Sequence, residues 1–160
     1  MHRTKNDLPA KTRTHVVKVL QVRLADAIEL AIQAKTAHWN VKGPSFIALH
    51  ELFDKVSAAA MGYADLVAER IAQLGGTAEG SVERAAERTS LPVYPLDAAQ
   101  GLDHVEALSR ALSVFGRQTR KSIVLVYKLE DDVTVDILTE ITRGADQYLW
   151  FVESHGQAKR

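Results

Sequence analysis

The sequence predicts an all-α protein: a four-helix bundle with a short extra helix in the long crossover between helices two and three. Three observations lead there. The 160 residues are 46% hydrophobic; the four prolines all fall outside the long periodic segments; and four segments repeat their apolar residues every three or four positions, the period of an amphipathic helix.

In the first segment Val17, Leu20, Leu24, Ala27, Ala31 and Ile32 recur at helical spacing, and the helix ends near Asn40 and Gly43. The second carries Leu49, Phe53, Val56, Ala60, Tyr63, Val67, Ile71 and Leu74 and stops at Gly75-Gly76. The stretch from about Thr77 to Asp97, with Gly80, Pro92 and Pro95, is too long for a tight bundle loop and must cross the bundle; Val82 to Arg88 suits a short helix within it. The third long segment carries Leu102, Val105, Leu108, Leu112, Phe115, Ile123 and Val126, and the fourth Leu138, Ile141, Ala145, Leu149 and Val152. One long crossover in a four-helix bundle is the ferritin-like arrangement. Residues 1–14, with Arg3, Lys5, Lys11 and Arg13 against Asp7, read as a mobile basic arm ahead of a bundle domain over 15–160.

Composition excludes several chemistries. Twenty basic and twenty acidic side chains cancel, so no whole-protein positive field exists to hold nucleic acid or an anionic membrane. Absence of cysteine removes disulfides, thiolate zinc sites, iron-sulfur clusters and thiol nucleophiles, and leaves nitrogen and oxygen as metal ligands. The start lacks the apolar core of a signal peptide and no apolar run reaches the ~20 residues of a membrane span, so a cytoplasmic protein is expected.

On helix two, His50 and Asp54 are four residues apart, and so are Asp65 and Glu69. At about 100° per residue, Asp54, Asp65 and Glu69 lie about 40°, 60° and 100° from His50, while the apolar stripe centres near 260°. The four polar residues therefore share a face turned away from the core. No Glu-x-x-His motif occurs, which argues against a di-iron site in the bundle core. The two pairs are separated by about 22 Å of helix, so a single copy cannot close both around one ion. Two antiparallel copies can, with the dyad between Ala59 and Ala60, where Ala58, Ala59, Ala60 and Gly62 permit close approach. A solvated charged face is the other reading of the same residues. By spacing alone His38 continues the stripe of Leu24 and Ala31 as a bundle-end histidine, and Trp39 and Trp150 are packing residues.

The run from Lys35 through His38-Trp39-Asn40, Gly43, Phe46, Leu49-His50-Glu51 and Phe53-Asp54, followed by Asp65, Ala68-Glu69-Arg70 and Leu74-Gly75-Gly76, resembles the Dps family of mini-ferritins. Thr134, Asp136, Arg143, Asp146 and Leu149 to His155 are similar to that family's last helix. The resemblance implies a homododecameric shell with ferroxidase centres at its two-fold interfaces. His38, His50 and Asp54 of one subunit and Asp65 and Glu69 of the next would hold iron as Fe(II), which hydrogen peroxide oxidises in preference to dioxygen, and ferric mineral would fill the cavity. His38 enters this set through the resemblance alone. The same resemblance gives Trp39 the role of carrying an oxidising equivalent and places Asp131, Asp136 and Glu140 around three-fold pores; helix capping is the other reading of Asp131. DNA binding through the arm, aided by Lys159 and Arg160, would place the shell on the nucleoid. The rival functions are a DNA-compacting shell with incidental metal binding and a helical two-fold adaptor without metal.

Overall fold

The computed structural model describes residues 1–157; Lys159 and Arg160 lie outside the described residues. Five helices follow in order: α1 (Ala10–Asn40), α2 (Phe46–Gln73), α3 (Val82–Arg88), α4 (Gly101–Tyr127) and α5 (Asp132–Ser154). Among the described residues there is no strand, and no helix is long and apolar enough to cross a membrane. The four long helices form the bundle, with α1 packed chiefly on α2 and α4 on α5, and α3 lies against α1 in the crossover.

The core is built from the expected stripes. Leu20, Leu24, Ala27 and Ala31 of α1 meet Leu49, Phe53, Val56, Ala60, Val67 and Ile71 of α2, and Leu108, Leu112, Phe115, Leu138 and Ile141 close the other side. Ile32 and Leu102 are exposed instead; Ile32 follows Ala31 and is turned about 100° from it, and Leu102 lies in the first turn of α4, at the end of the bundle.

Each helix end has a physical stop. After α2 the Gly76 N–H donates to the Ile71 carbonyl at 2.8 Å and the Gly75 N–H to Ala72 at 2.9 Å, with Gly75 at φ +84, a left-handed cap that favours glycine. Before α4 the Asp103 carboxylate accepts from the backbone N–H groups of Gln100 (2.9 Å) and Ala99 (3.1 Å). These bonds hold the Asp103 carboxyl below its ordinary value.

The crossover is fastened to α1 by polar side chains. Gln21 donates to the Thr77 carbonyl at 2.7 Å, Gln33 to the Pro92 carbonyl at 2.7 Å, and the fully buried Asp26 accepts the Ser90 N–H at 2.6 Å while pairing with Arg23.

The arm is shorter than the sequence suggests. Ala10 to Thr14, expected within it, form the first turn of α1, because Pro9 stands immediately ahead of the helix and nothing in 10–14 breaks one. Residues 1–9 lie against the end of α2: the His2 N–H donates to the Gly75 carbonyl, and Arg13 donates to the carbonyls of Leu74 (3.0 Å) and Leu8 (3.1 Å).

Candidate metal centre

The short connection after α1 turns the chain back at Gly43, φ +103, and its Val41 side chain is buried beneath the turn. Helices α1 and α2 consequently run antiparallel, and His38 in the last turn of one comes to face His50 near the start of the other. Their rings stack with centroids 3.6 Å apart. His38 Nδ1 donates to the backbone carbonyl of His50 at 2.8 Å, and His50 Nδ1 donates to the carbonyl of His38 at 2.8 Å. A carbonyl oxygen only accepts, so the reciprocal bonds set the proton on both Nδ1 atoms. Both Nε2 lone pairs are left for other use, the arrangement in which backbone carbonyls orient metal-binding imidazoles.

Asp54 lies one turn beyond His50 and is exposed, with the Lys35 ammonium as its salt-bridge partner. The Lys35 hydrogen bond is the main cause that lowers the Asp54 carboxyl below its ordinary value. Asp65 and Glu69 are exposed farther along α2 on the same side. Among the described residues no three His, Asp or Glu side chains stand together closely enough to hold a metal ion. One chain thus brings the two imidazoles together and leaves the carboxylate pair Asp65 and Glu69 apart from them. Between the two pairs Ala58 and Gly62 face solvent, and a Cβ added at Gly62 would meet open space.

Trp39 is 67% exposed at the end of α1. Phe46, partly exposed, lies with its ring 5.0 Å from that of His50.

The three expected pore residues separate. Asp131 is buried and corrects that expectation: its Oδ1 accepts from Arg70 Nη2 at 2.7 Å and from the Thr134 N–H at 3.1 Å, and its Oδ2 from the Thr134 hydroxyl at 2.5 Å. It caps α5 and neutralises a buried guanidinium, so it offers no free carboxylate to solvent. Asp136 and Glu140 remain exposed one turn apart on α5. Glu140 borders a cavity of about 450 Å³ with Tyr63, Arg143, Gly144 and Gln147. Burial there pushes the Tyr63 phenol up to about 12.

Sequence reasoning passed over three residues. Arg70 stands between the exposed Glu69 and the stripe residue Ile71 and is buried. Lys35 pairs with Asp54 across the two helices, a contact that no spacing in the sequence signals. His104 showed no ligand spacing, yet it is 1% exposed and its Nδ1 lies 2.5 Å from the Tyr94 hydroxyl. Only the position of Arg70 next to an apolar stripe residue, Ile71, gave a signal in advance.

Residues 17–159 match the family described as Ferritin-like domain. The chain is 42% identical to the DNA protection during starvation protein of Agrobacterium fabrum over 99% of its own length and 98% of the relative's. Among solved structures, Mycobacterium smegmatis Dps superposes with a TM-score of 0.93 at 32% identity, covering 99% of this chain and 92% of that one. Dps from Microbacterium arborescens, in its high iron form, gives 0.85 at 34% identity with 95% and 97% covered. With the fold, the stacked histidine pair and similarity along nearly the whole length in agreement, the chain belongs to the Dps family of ferritin-like proteins.

Proposed function

We propose that the protein is a ferroxidase and iron-storage subunit whose catalytic centre is shared between two copies of the chain. Fe(II) is the substrate. His38, His50 and Asp54 of one subunit and the partner subunit's Asp65 and Glu69 bind it, with α2 crossing its twin antiparallel about an axis between Ala59 and Ala60. The observation that carries this reading is the reciprocal bonding of the two imidazoles, which frees both Nε2 atoms on an outward face. The separation of Asp65 and Glu69 from that pair within one chain, and the small exposed residues between them, support a second copy as the source of the remaining carboxylates.

Two ferrous ions each give up one electron. Hydrogen peroxide takes both with two protons, its O–O bond breaks, and two waters form, so no hydroxyl radical is released. Imidazole nitrogen and carboxylate oxygen suit both iron oxidation states. Ferric product collects inside a dodecameric shell and removes the reagents that damage DNA. Asp136 and Glu140, three copies around each three-fold axis, draw cations toward the pores; Asp136→Asn with Glu140→Gln should slow iron uptake most at low ionic strength. Exposed Trp39, Trp150, Ile47 and Met61 are apolar surface of the kind subunit contacts cover.

Complementation tests the shared centre. His50→Ala and the double variant Asp65→Ala, Glu69→Ala should each assemble and oxidise iron poorly. Refolded together, a mixed pair carries one doubly defective site and one intact site, and half of its sites should recover. No recovery in shells shown by native mass to be mixed would sink the interface assignment.

A further inference from the structure

Beside the end of α1 that carries His38 lie a buried tyrosine and histidine that the proposed ferroxidase chemistry does not use. Tyr94 comes from the crossover and His104 from the first turn of α4, and both are buried. The phenol oxygen and His104 Nδ1 are 2.5 Å apart, with the rings nearly parallel at 18°. The Asn40 backbone acts on the His104 ring, whose Nε2 otherwise has no hydrogen-bond partner. A carbonyl there favours the proton on Nε2, which makes Nδ1 the acceptor and the Tyr94 hydroxyl the donor.

Two contacts place His104 and the start of α4 beside the helix ends that carry the candidate centre. Asn40 follows His38 by two residues, about 3 Å of helical rise. Gly101, one turn before His104, approaches α2 so closely that a Cβ on it would stand 2.8 Å from Leu49, the residue next to His50. His104 thus sits beside the helix ends that carry the two imidazoles, and the Tyr94 phenol is hydrogen-bonded to it and shielded from solvent. Among the described residues, Tyr94 is the tyrosine hydrogen-bonded to an imidazole.

We infer that Tyr94 and His104 form a proton-coupled redox pair that supplies the second electron when peroxide meets a centre holding a single ferrous ion. The inference rests on the ferroxidase reading for its oxidant. Peroxide needs two electrons, and one ferrous ion gives one. The other leaves the Tyr94 phenol as its proton moves to His104 Nδ1; the O–O bond breaks, two protons from solvent complete two waters, and the products are one ferric ion, a neutral tyrosyl radical and an imidazolium. Burial lowers the His104 pKa and pushes the intact phenol up to about 12, so the resting pair is an uncharged phenol and imidazole; the neighbouring Asp103 carboxylate offsets part of the cost of the imidazolium when it forms. A half-loaded centre then discharges peroxide without releasing hydroxyl radical.

Electron paramagnetic resonance after rapid freezing tests this on the assembled shell with one Fe(II) per centre and excess peroxide. Wild type should give a tyrosyl signal that Tyr94→Phe loses and that the triple variant Tyr63→Phe, Tyr127→Phe, Tyr148→Phe keeps. His104→Gln, which has no base at Nδ1, should shorten the radical's lifetime. An iron-free arm with a flash-excited ruthenium sensitiser and an electron acceptor generates oxidant independently of the ferroxidase reaction. A Tyr94 radical in that arm from protein that fails to oxidise iron supports the pair and refutes the ferroxidase reading instead. A tyrosyl signal unchanged by Tyr94→Phe, or no tyrosyl signal in either arm, overturns the pair.

Discussion

Arg70 of α2 reaches Asp131 at the head of α5 at 2.7 Å, and both side chains are buried. The guanidinium follows Glu69 in sequence, so the ion pair fixes the end of α2 that presents the Asp65 and Glu69 carboxylates. Asp131→Ala removes the counter-charge and the cap at once and leaves an unpaired buried cation, a loss of about 3 to 5 kcal/mol. Chemical denaturation should show that loss, and the pair Arg70→Met with Asp131→Asn, which keeps a capping oxygen, should recover most of it. A single variant as stable as wild type would refute the buried-charge account.

Lys35 occupies Asp54 as an internal cation. An exposed ion pair of this kind holds its partners weakly, because solvent screens it. Lys35→Met should therefore tighten Zn(II) binding by roughly two- to fivefold in calorimetric titration. Unaltered affinity would mean that the ammonium leaves Asp54 without cost when metal arrives.

The ordered contacts of residues 1–9 bear on DNA. Arg3, Lys5 and Lys11 are exposed while Arg13 and His2 hold the segment to α2. If the arm carries DNA affinity, deleting residues 1–9 should abolish a gel shift without disturbing α1, assembly or iron oxidation. The full-length shift should weaken steeply with salt, because phosphate contacts release counterions and repetition around a shell multiplies weak ones. A shift that survives the deletion would place DNA on another surface.

Burial lowers the His104 pKa below 6.5, so the native protein resists taking up a proton that the unfolded chain accepts. The sign follows from linkage: the contribution is whole above 6.5 and is lost as pH falls toward the native value. Melting temperature should decline below about pH 6.5, and His104→Gln should flatten that decline. An identical slope in the variant would assign the acid sensitivity elsewhere.

Most of the fold was legible because it depends on a repeated signal. The stripe of α2 from Leu49 to Ile71 buries as its spacing requires, and Gly75-Gly76 ends the helix through two specific hydrogen bonds. The outward face bearing His50, Asp54, Asp65 and Glu69 was legible for the same reason. His38 was not, since its partner lies twelve residues away across a turn and the reciprocal carbonyl bonds leave no periodic trace. Asp131 stayed open between capping and pore lining because both call for the same residue at the same place, and only its burial beside Arg70 favours the cap. Tyr94 and His104 belong to different elements, and no spacing rule connects a crossover residue to a helix start.

The fastening of the crossover has a consequence for how this lineage can diverge. Gln21 and Gln33 bind main-chain carbonyls, and Asp26 binds a main-chain N–H, so much of what α1 recognises in residues 77–92 is present whatever side chains stand there. Substitutions at the strap's exposed positions are then nearly neutral, while Gln21, Asp26 and Gln33 are constrained together with Ala85 and Leu91, which are buried, and Thr89 and Ser90, whose hydroxyls donate to Asp26. Rapid drift at the exposed strap positions and stasis at these few residues is the signature this design would leave among descendants.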